Sequence, residues 1–506
     1  MMKNEPKYCL IVILNVWGYN VQSFGKIITS ILITLALFTP KAYALNEVKV
    51  EQGSVLSLND CVSIALNNNP LIKNARYNYG LSKTNVGSAR SDYFPTIGVG
   101  TGYNIQDVSG RKVSQNTNAY SVEATINQLL WNFGKTNAHI KMQKFYLIAD
   151  EYNFYNSVRE TTFDVKQKYY QVLAARATVL INKAYVQINE RNYQRTKAYF
   201  DEGIKSKIDL VNAEVTLSDS KIQLVQAENA KKNSLVNLNN AMYLVNAPAY
   251  SISGTEIFNT SVADNVAPVD LTKITKPSDQ EISKLPVNVK DAKLTSSVET
   301  LELLTDYKVE EFPYSFEECM KMAYKNRADL KAYNSTLDAV KENLVYVKRN
   351  YYPSISANAG YGFRDTNSTN SFNVGVNLSS SVNMMNQKYK VDAAKYQVDI
   401  AENSLNQLNQ DIYFQVQNAY IDMIELEKQI PLLAVKVRQT LENYELAEGR
   451  YYVGLGDYIQ LQDAKVNYNN AQCSYIETIY KYNVARANLE SVIALPQPVT
   501  VTLEGK

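Results

Sequence analysis

The chain has 506 residues, of which 52 are basic and 50 are acidic, so its formal net charge is only +2. This balance excludes a strongly charged surface and predicts no nucleic-acid partner. The single histidine, His139, and the four cysteines have no metal-ligand spacing, so we expect no metal site, redox centre or cofactor.

The N-terminus has the pattern of a secretory signal. An apolar run from Ile27 to Phe38 follows Lys26 and precedes the sequence Pro40-Lys41-Ala42-Tyr43-Ala44. The run is too short to span a membrane, and the small residues after it resemble a cleavage site. We therefore predict that residues 1–44 are removed as a signal peptide with an N-terminal extension.

The rest of the chain contains an internal duplication. Residues 56–102 match residues 314–360 at an offset of 258, and the match extends through Tyr103 and Tyr361. A proline-rich stretch, 246–313, separates the two copies and reads as an irregular linker. We predict a first repeat at 45–245, the linker, a second repeat at 314–495 and a tail at 496–506.

Each repeat is predicted to open with two helices. Ser57 with Asp60, and Ser315 with Glu318, have the spacing of a capping box at a helix start. A second helix is expected to end before the prolines at 95 and 353. Cys61 and Cys319 occupy equivalent positions in the first helices and are expected to be buried as small apolar side chains.

The pattern then changes to strict alternation, which predicts two strands in about 94–131 and two in about 353–382. One face of each strand is apolar and the other is small or polar, as in a barrel with lipid outside and water inside. The alternative is an antiparallel sheet on a soluble core. Polar loops are expected at 106–119 and 364–371.

Two very long helices follow the strands, at 133–201 and 385–452. Apolar residues recur every seven positions in both, which predicts left-handed coiled-coil contacts. Turns at Gly203 and Gly454 return the chain, so we expect coiled-coil hairpins at 133–245 and 385–495. Pro431 is expected to interrupt and kink the second long helix.

The predicted fold is therefore mixed but predominantly α-helical, and it contains too few strands to close a barrel. Four strands would leave two open edges, which lipid does not tolerate. Three copies of the chain would supply twelve strands around a threefold axis.

These features resemble the TolC family of outer-membrane efflux proteins. The resemblance covers the whole mature chain and is most specific in the duplicated unit and in three segments: LLWNFG at 129–134, EGIKSKIDLVNAE at 202–214 and VGLGDYIQLQDAK at 453–465. It implies a homotrimer with a twelve-stranded β-barrel in the outer membrane of a Gram-negative bacterium. A long α-helical coiled-coil barrel would continue the channel into the periplasm, and the linker would form an equatorial belt.

The resemblance also implies the function. The family forms passive conduits that receive cargo from an inner-membrane pump through a periplasmic adaptor. No phosphate-binding loop, dinucleotide-binding turn or nucleophile with a histidine base occurs in the sequence, so we predict that the protein is not an enzyme. The alternatives are a non-conducting periplasmic or surface coiled-coil scaffold and, among channels, an outlet for type I secretion or metal-ion efflux.

Two turns carry the adaptor-docking positions of the family. Val453, Gly454 and Leu455 match the docking turn, and Gly203 and Ile204 are its counterpart in the first repeat. The two glycines could instead be ordinary helix ends.

Three residues match the family's closing machinery. Tyr451 and Asp209 correspond to a pair that ties neighbouring coils together, and Asp463 corresponds to an aspartate at the periplasmic entrance. Packing of Tyr451 in the coiled coil and a solvated Asp463 are the alternatives. The chain departs from the family at Gln460, where a second aspartate is usual, and at Gly456, where an arginine is usual.

Overall fold

The computed structural model describes residues 50–254 apart from 111–112, residue 309, and residues 311–364, 369–452 and 455–496. The predicted signal peptide, most of the predicted linker and nearly all of the predicted tail lie outside the described residues. The first repeat contains β1 (Val55–Leu56), α1 (Leu58–Asn68), α2 (Pro70–Ser91), β2 (Thr96–Gly110), β3 (Val113–Trp131), α3 (Lys135–Asp201) and α4 (Lys207–Ala241).

The second repeat has the same order of elements. Strand β4 (Ser251–Ile252) comes before it and pairs in parallel with β1. The repeat itself contains α5 (Phe316–Asn326), α6 (Ala328–Lys348), a short 3₁₀ turn (Arg349–Tyr351), β5 (Ser354–Arg364), β6 (Thr369–Ser379), α7 (Met384–Tyr452) and α8 (Tyr458–Val492).

The predicted capping boxes start both repeats. The Ser57 hydroxyl accepts a hydrogen bond from the Asp60 N–H, and the Asp60 carboxylate accepts from the Ser57 N–H at 2.9 Å. Ser315 and Glu318 repeat this arrangement at the start of α5. Each box supplies acceptors for helix N–H groups that would otherwise lack a partner. Cys61 and Cys319 are fully buried behind the boxes, as predicted.

The four long strands form one antiparallel sheet in the order β2-β3-β5-β6. One row of side chains across the sheet is Val99, Ala124, Tyr361 and Phe372. Val99 is 75% exposed and Phe372 is 76% exposed, so among the described residues of one chain this apolar face covers no core. The alternative of a sheet on a soluble core is therefore wrong.

The opposite face of the sheet is lined by glycine, serine, threonine and asparagine. The neighbouring row is Gly100, Glu123, Gly362 and Ser371. A Cβ atom on Gly362 would lie only 2.9 Å from the Ser371 hydroxyl. Glycine at this position therefore leaves room for the Ser371 side chain on the neighbouring strand. This face is suited to water.

The predicted polar loop at 106–119 is wrong. Strand β2 continues to Gly110 and β3 begins at Val113, with backbone pairing from Gln106 with Thr117 to Gly110 with Val113. Ladder hydrogen bonds come from backbone groups, so polar residues extend the hairpin without any apolar alternation. The alternation of apolar and polar residues therefore predicted only part of the length of these two strands.

The two long helices agree with the prediction within two residues at each end. α3 has 67 residues and α7 has 69. The expected interruption at Pro431 is wrong, because α7 runs through this proline without a break. Proline removes only one N–H from the ladder, and most of the stability of a long helix in a protein comes from tertiary packing.

The long helices lie side by side in the order α4, α3, α8, α7. Here α3 and α4 form the first hairpin, and α7 and α8 form the second. The main core includes Phe154 and Val165 of α3 with Ile412 and Met423 of α7. Among the described residues, no helix is both long enough and apolar enough to cross a membrane.

Candidate functional site: the ends of the helical hairpins

The first hairpin turns at a glycine that needs a left-handed backbone. Gly203 has φ of +75° directly after α3. The Ile204 N–H donates to the Tyr199 carbonyl at 2.8 Å, and the Gly203 N–H donates to the Phe200 carbonyl at 2.9 Å. This pair of bonds is a Schellman motif, which satisfies the last carbonyls of the helix. The turn leaves the Ile204 side chain 63% exposed.

The second hairpin ends with the same hydrogen bonds. The N–H groups of Leu455 and Gly456 donate to the Arg450 carbonyl at 2.9 and 3.0 Å, as those of Ile204 and Lys205 do to Tyr199. Leu455 is 75% exposed. Val453 and Gly454 lie outside the described residues. Both hairpins thus place one apolar side chain, Ile204 or Leu455, on the surface beyond the end of the long helix.

Asp209 also caps a helix, a role that its match to the family did not suggest. Its carboxylate accepts hydrogen bonds from the Ser206 N–H at 3.2 Å and the Ser206 hydroxyl at 2.7 Å. The two residues form a capping box at the start of α4. The serine three positions earlier in the sequence was the signal that could have revealed it.

Tyr451 lies buried between the hairpins, close to Asp209. The tyrosine is 3% exposed, and the Lys205 Nζ atom lies 4.0 Å from the centroid of its ring. The pKa of Tyr451 is raised to about 12, chiefly by burial; the nearby Asp209 charge also raises it, and a hydrogen bond with Thr196 opposes the rise. The Asp209 charge therefore acts on the Tyr451 phenol, while α4 uses the same carboxylate as its cap.

A second contact between the hairpins was not predicted. The hydroxyls of Thr216 in α4 and Tyr458 in α8 lie 3.0 Å apart, and both side chains are buried. Tyr458 also packs edge-on against Tyr451, with ring centroids 6.0 Å apart. The partner of Tyr458 lies 242 positions earlier in the chain, and nothing in the local sequence identifies it.

Asp463 is exposed on α8. Midway along the hairpins, a cavity of about 900 Å³ is lined by all four long helices and therefore lies on one side of the row. Glu477 and Lys481 of α8 contribute to this lining. Asp463 precedes Glu477 by two seven-residue repeats, so it shares the face of α8 that borders the cavity.

Gly456, where the family usually has an arginine, lies against the end of α7. A Cβ atom on Gly456 would lie 3.2 Å from the Cβ atom of Arg450 and from the Tyr451 nitrogen. Any larger residue would have to displace the end of α7 or the turn itself. The second departure, Gln460, is exposed in the first turn of α8, where its N–H donates to Asp457 at 2.7 Å. Within the described residues, no group of three or more His, Cys, Asp or Glu side chains could hold a metal ion.

The duplicated unit, the sheet with one apolar face and the paired coiled-coil hairpins define the class of outer-membrane channel proteins. The family model for outer membrane efflux proteins matches residues 61–242 and 319–495, which fall in the two repeats. The chain belongs to this family, as its resemblance to TolC proteins indicated. It is a family of outer-membrane channels and not of enzymes, and its members serve efflux.

Solved structures of outer-membrane channels have the same fold at low sequence identity. The channel OprN matches with a TM-score of 0.66 and 14% identity, over 90% of this chain and 98% of that one. CmeC of Campylobacter jejuni gives 0.67 and 15%, over 90% and 93%. The open state of MtrE of Neisseria gonorrhoeae gives 0.65 and 16%, over 90% and 95%. A search of curated proteins gives no match.

Proposed function

We propose that three copies of this chain form one continuous channel, which lies in the outer membrane and extends into the periplasm. The channel is a passive conduit that receives cargo from an inner-membrane pump through a periplasmic adaptor. The main support for this proposal is that the sheet and the row of long helices each end in two free edges. Within the described part of one chain, each of these edges lacks a neighbouring element.

The sheet supports closure by other copies. Strands β2 and β6 end the sheet, and each has a partner on one side only among the described residues. Unpaired backbone groups in lipid cost several kcal/mol each, about the value of an unmade hydrogen bond in an apolar medium. Pairing β6 of one copy with β2 of the next satisfies these groups and turns the apolar face outward to lipid.

The helices support the same arrangement. The outer face of α4 has an exposed apolar stripe with seven-residue spacing, which includes Ile208, Val215, Ile222 and Val236. The opposite edge of the row, on α7, exposes Phe414, Ile421, Leu432, Val435 and Leu446. Helix α4 runs away from the hairpin end while α7 runs toward it, so the two stripes can meet as an antiparallel coiled coil between copies.

The hairpin ends support adaptor docking. Ile204 and Leu455 are exposed apolar side chains held by rigid, hydrogen-bonded turns. Such residues are suited to insertion into a partner because their backbone geometry is already fixed. We propose that these turns, together with Gly203, Val453 and Gly454, contact the adaptor.

Assembly is tested by native mass measurement of the mature protein in detergent, which we expect to show three copies. Ile222→Lys places a charge in the apolar stripe of α4 and should shift the population toward single chains. Gln223→Lys places the same charge on another exposed part of α4 and should leave the trimer intact. A stable wild-type monomer, soluble without detergent, would exclude the channel and favour the coiled-coil scaffold.

Export is tested in cells that lack the gene. We expect sensitivity to several unrelated toxic compounds, with recovery on expression of the wild-type chain. Unchanged sensitivity with loss of one secreted protein would favour the type I secretion outlet. Sensitivity to a single metal ion would favour metal efflux.

A further inference from the structure

Each hairpin has its own apolar contact near its end. In the first hairpin, Val179 and Val186 of α3 pack against Leu217 and Leu224 of α4 in a cluster separate from the main core. In the second hairpin, the rings of Tyr444 and Tyr468 stack with centroids 6.0 Å apart. Each hairpin is thus held together by apolar packing near its end.

The surface between the two hairpins is different. A column of buried polar residues runs along α3 with coiled-coil spacing: Asn182, Tyr185, Asn189, Asn192 and Thr196. It faces the second hairpin, because Tyr185 has a hydrogen bond with Gln462 and Thr196 with Tyr451. On α8, the polar residues are Gln462, Lys465 and Asn469. We call these eight residues the lower seam.

The lower seam leaves a hydrogen-bond acceptor without a donor. The side-chain oxygen of Asn469 is buried and has no hydrogen-bond partner within the described part of the chain. A buried acceptor without a donor is unfavourable. Water reaching the seam would supply a donor, so this polar group opposes the closed seam.

Lys465 lies in this seam with only 2% of its surface exposed. The charged groups that face it are Glu448 from α7 and Arg195 from α3. Burial lowers the pKa of Lys465 to about 8; Glu448 raises it and Arg195 lowers it, but burial is the largest cause. A buried ammonium group disfavours the closed seam.

We propose that Lys465 is a proton-responsive residue that favours separation of the two hairpins when it is charged. This inference rests on the proposed channel function and assigns a regulation to its hairpin ends. When the seam opens, water reaches Lys465 and the amine regains its ordinary basicity. The closed seam therefore gains stability as pH rises from about 8 toward 10.5, and loses it as pH falls back to about 8.

The direction of the pH effect can be measured. The pKa of Lys465 is about 8 in the closed seam and takes its ordinary value of 10.5 when the seam opens. A change from pH 7 to pH 9 therefore shifts the equilibrium of each chain about tenfold toward the closed seam. The full mature protein in planar bilayers should therefore conduct less at pH 9 than at pH 7.

Lys465→Met is the test variant, because it keeps the length of the side chain and removes the charge. We expect low conductance at both pH values and no pH dependence. Lys83→Met removes an exposed lysine from α2, which does not contribute to the cavity, and should behave like the wild type. Hydrogen exchange at pH 7 gives a second measurement: backbone amides in 182–196 and 458–469 should exchange several-fold faster in the wild type than in Lys465→Met.

The two measurements separate the possible failures. Equal exchange rates and equal pH dependence in wild type and Lys465→Met would overturn the proposal for Lys465. If no variant conducts but exchange still differs, the proposed channel function fails while the role of Lys465 stands. If Lys465→Met does not fold, Lys465→Gln replaces it in both measurements.

Discussion

The hydroxyl oxygens of Thr216 and Tyr458 lie 3.0 Å apart in the buried contact between the first and second hairpins. The Thr216 hydroxyl also bonds to the Asn212 carbonyl at 2.9 Å within its own helix. Tyr458 can therefore donate to Thr216 while Thr216 donates along α4. This bond joins the two hairpins near their ends, as do those of Tyr185 with Gln462 and of Thr196 with Tyr451.

Removing this bond should loosen the closed end. Tyr458→Phe deletes one hydroxyl and leaves Thr216 bonded to Asn212, so the cost should be about 1 kcal/mol per chain. We expect higher conductance in planar bilayers with an unchanged trimer. Tyr413→Phe changes an exposed tyrosine of α7 and serves as the control. Conductance equal to wild type would show that this bond does not restrain the hairpins.

The Tyr451 and Asp209 pair should restrain the same movement. Tyr451→Phe combined with Asp209→Ala should raise conductance, because both the phenol and the neighbouring charge are lost. Asp209 also caps α4 with Ser206, so Ser206→Ala is the matched control that weakens the cap by about 1 kcal/mol and keeps the carboxylate. Equal effects of the double change and of Ser206→Ala would assign the result to capping alone.

Asp463 should affect selectivity more than opening. Three copies of this carboxylate around a narrow entrance would attract cations and repel one another. Asp463→Ala should lower cation preference and block by divalent ions, measured as reversal potential and as current in the presence of Mg²⁺. Asp338→Ala, an exposed acid on α6, should change neither. Unaltered reversal potential in Asp463→Ala would place the residue outside the ion path.

Gly203 should be essential to the first turn. Its φ of +75° is unfavourable for a β-branched residue by about 1–2 kcal/mol. Gly203→Val should reduce export and cross-linking to the adaptor while the trimer remains, and Gly203→Asn should retain most of both because asparagine tolerates this conformation. We predict the same contrast at Gly454. Adaptor cross-linking at wild-type levels in Gly203→Val would contradict the docking assignment.

Arg327 and Asp329 should stabilise the second repeat. Arg327 is 3% exposed, and its guanidinium bonds to both Asp329 oxygens, at 3.0 and 2.5 Å. Asp329→Asn leaves a buried charge without its partner, which should lower the free energy of unfolding by about 3–5 kcal/mol. A melting temperature equal to wild type at pH 7 would contradict this. Arg327→Lys tests whether the two-pronged geometry is needed.

The same pair predicts a response to acid. Burial raises the pKa of Asp329, but the hydrogen bond and charge of Arg327 outweigh it, so the net pKa is lowered. The stability from this pair is therefore present above the ordinary aspartate pKa and is lost as pH falls through the lowered value. Unfolding measured from pH 7 to pH 2 should lose less stability in Asp329→Asn than in the wild type.

Much of the local structure could be predicted from residues that are close in the chain. The capping boxes at Ser57 and Ser315, and the limits of α3 and α7, follow from short-range spacing and an uninterrupted periodicity. The extension of β2 and β3 through 106–119 could not be predicted this way. Its stability comes from backbone pairing with the partner strand, which side-chain alternation does not report.

The contacts around Tyr451 and Asp209 could likewise be predicted only in part. The resemblance to the family singled out Tyr451, Asp209 and Asp463, and in the structure the Asp209 charge raises the pKa of Tyr451. It did not indicate that Asp209 also caps α4, or that Tyr458 meets Thr216. Each of these contacts depends on the relative position of helix ends, which is set by how the hairpins pack.

By itself, the sequence determined the duplicated unit, the type of each long element and the turn at Gly203, because these depend on local backbone preference and on the period of apolar residues. Only the tertiary structure decided the order α4, α3, α8, α7, the polar lower seam and the burial of Lys465. A lysine in a helix is ordinarily solvated. Whether it meets water or a neighbouring helix depends on which faces pack together, and that is a property of the whole fold.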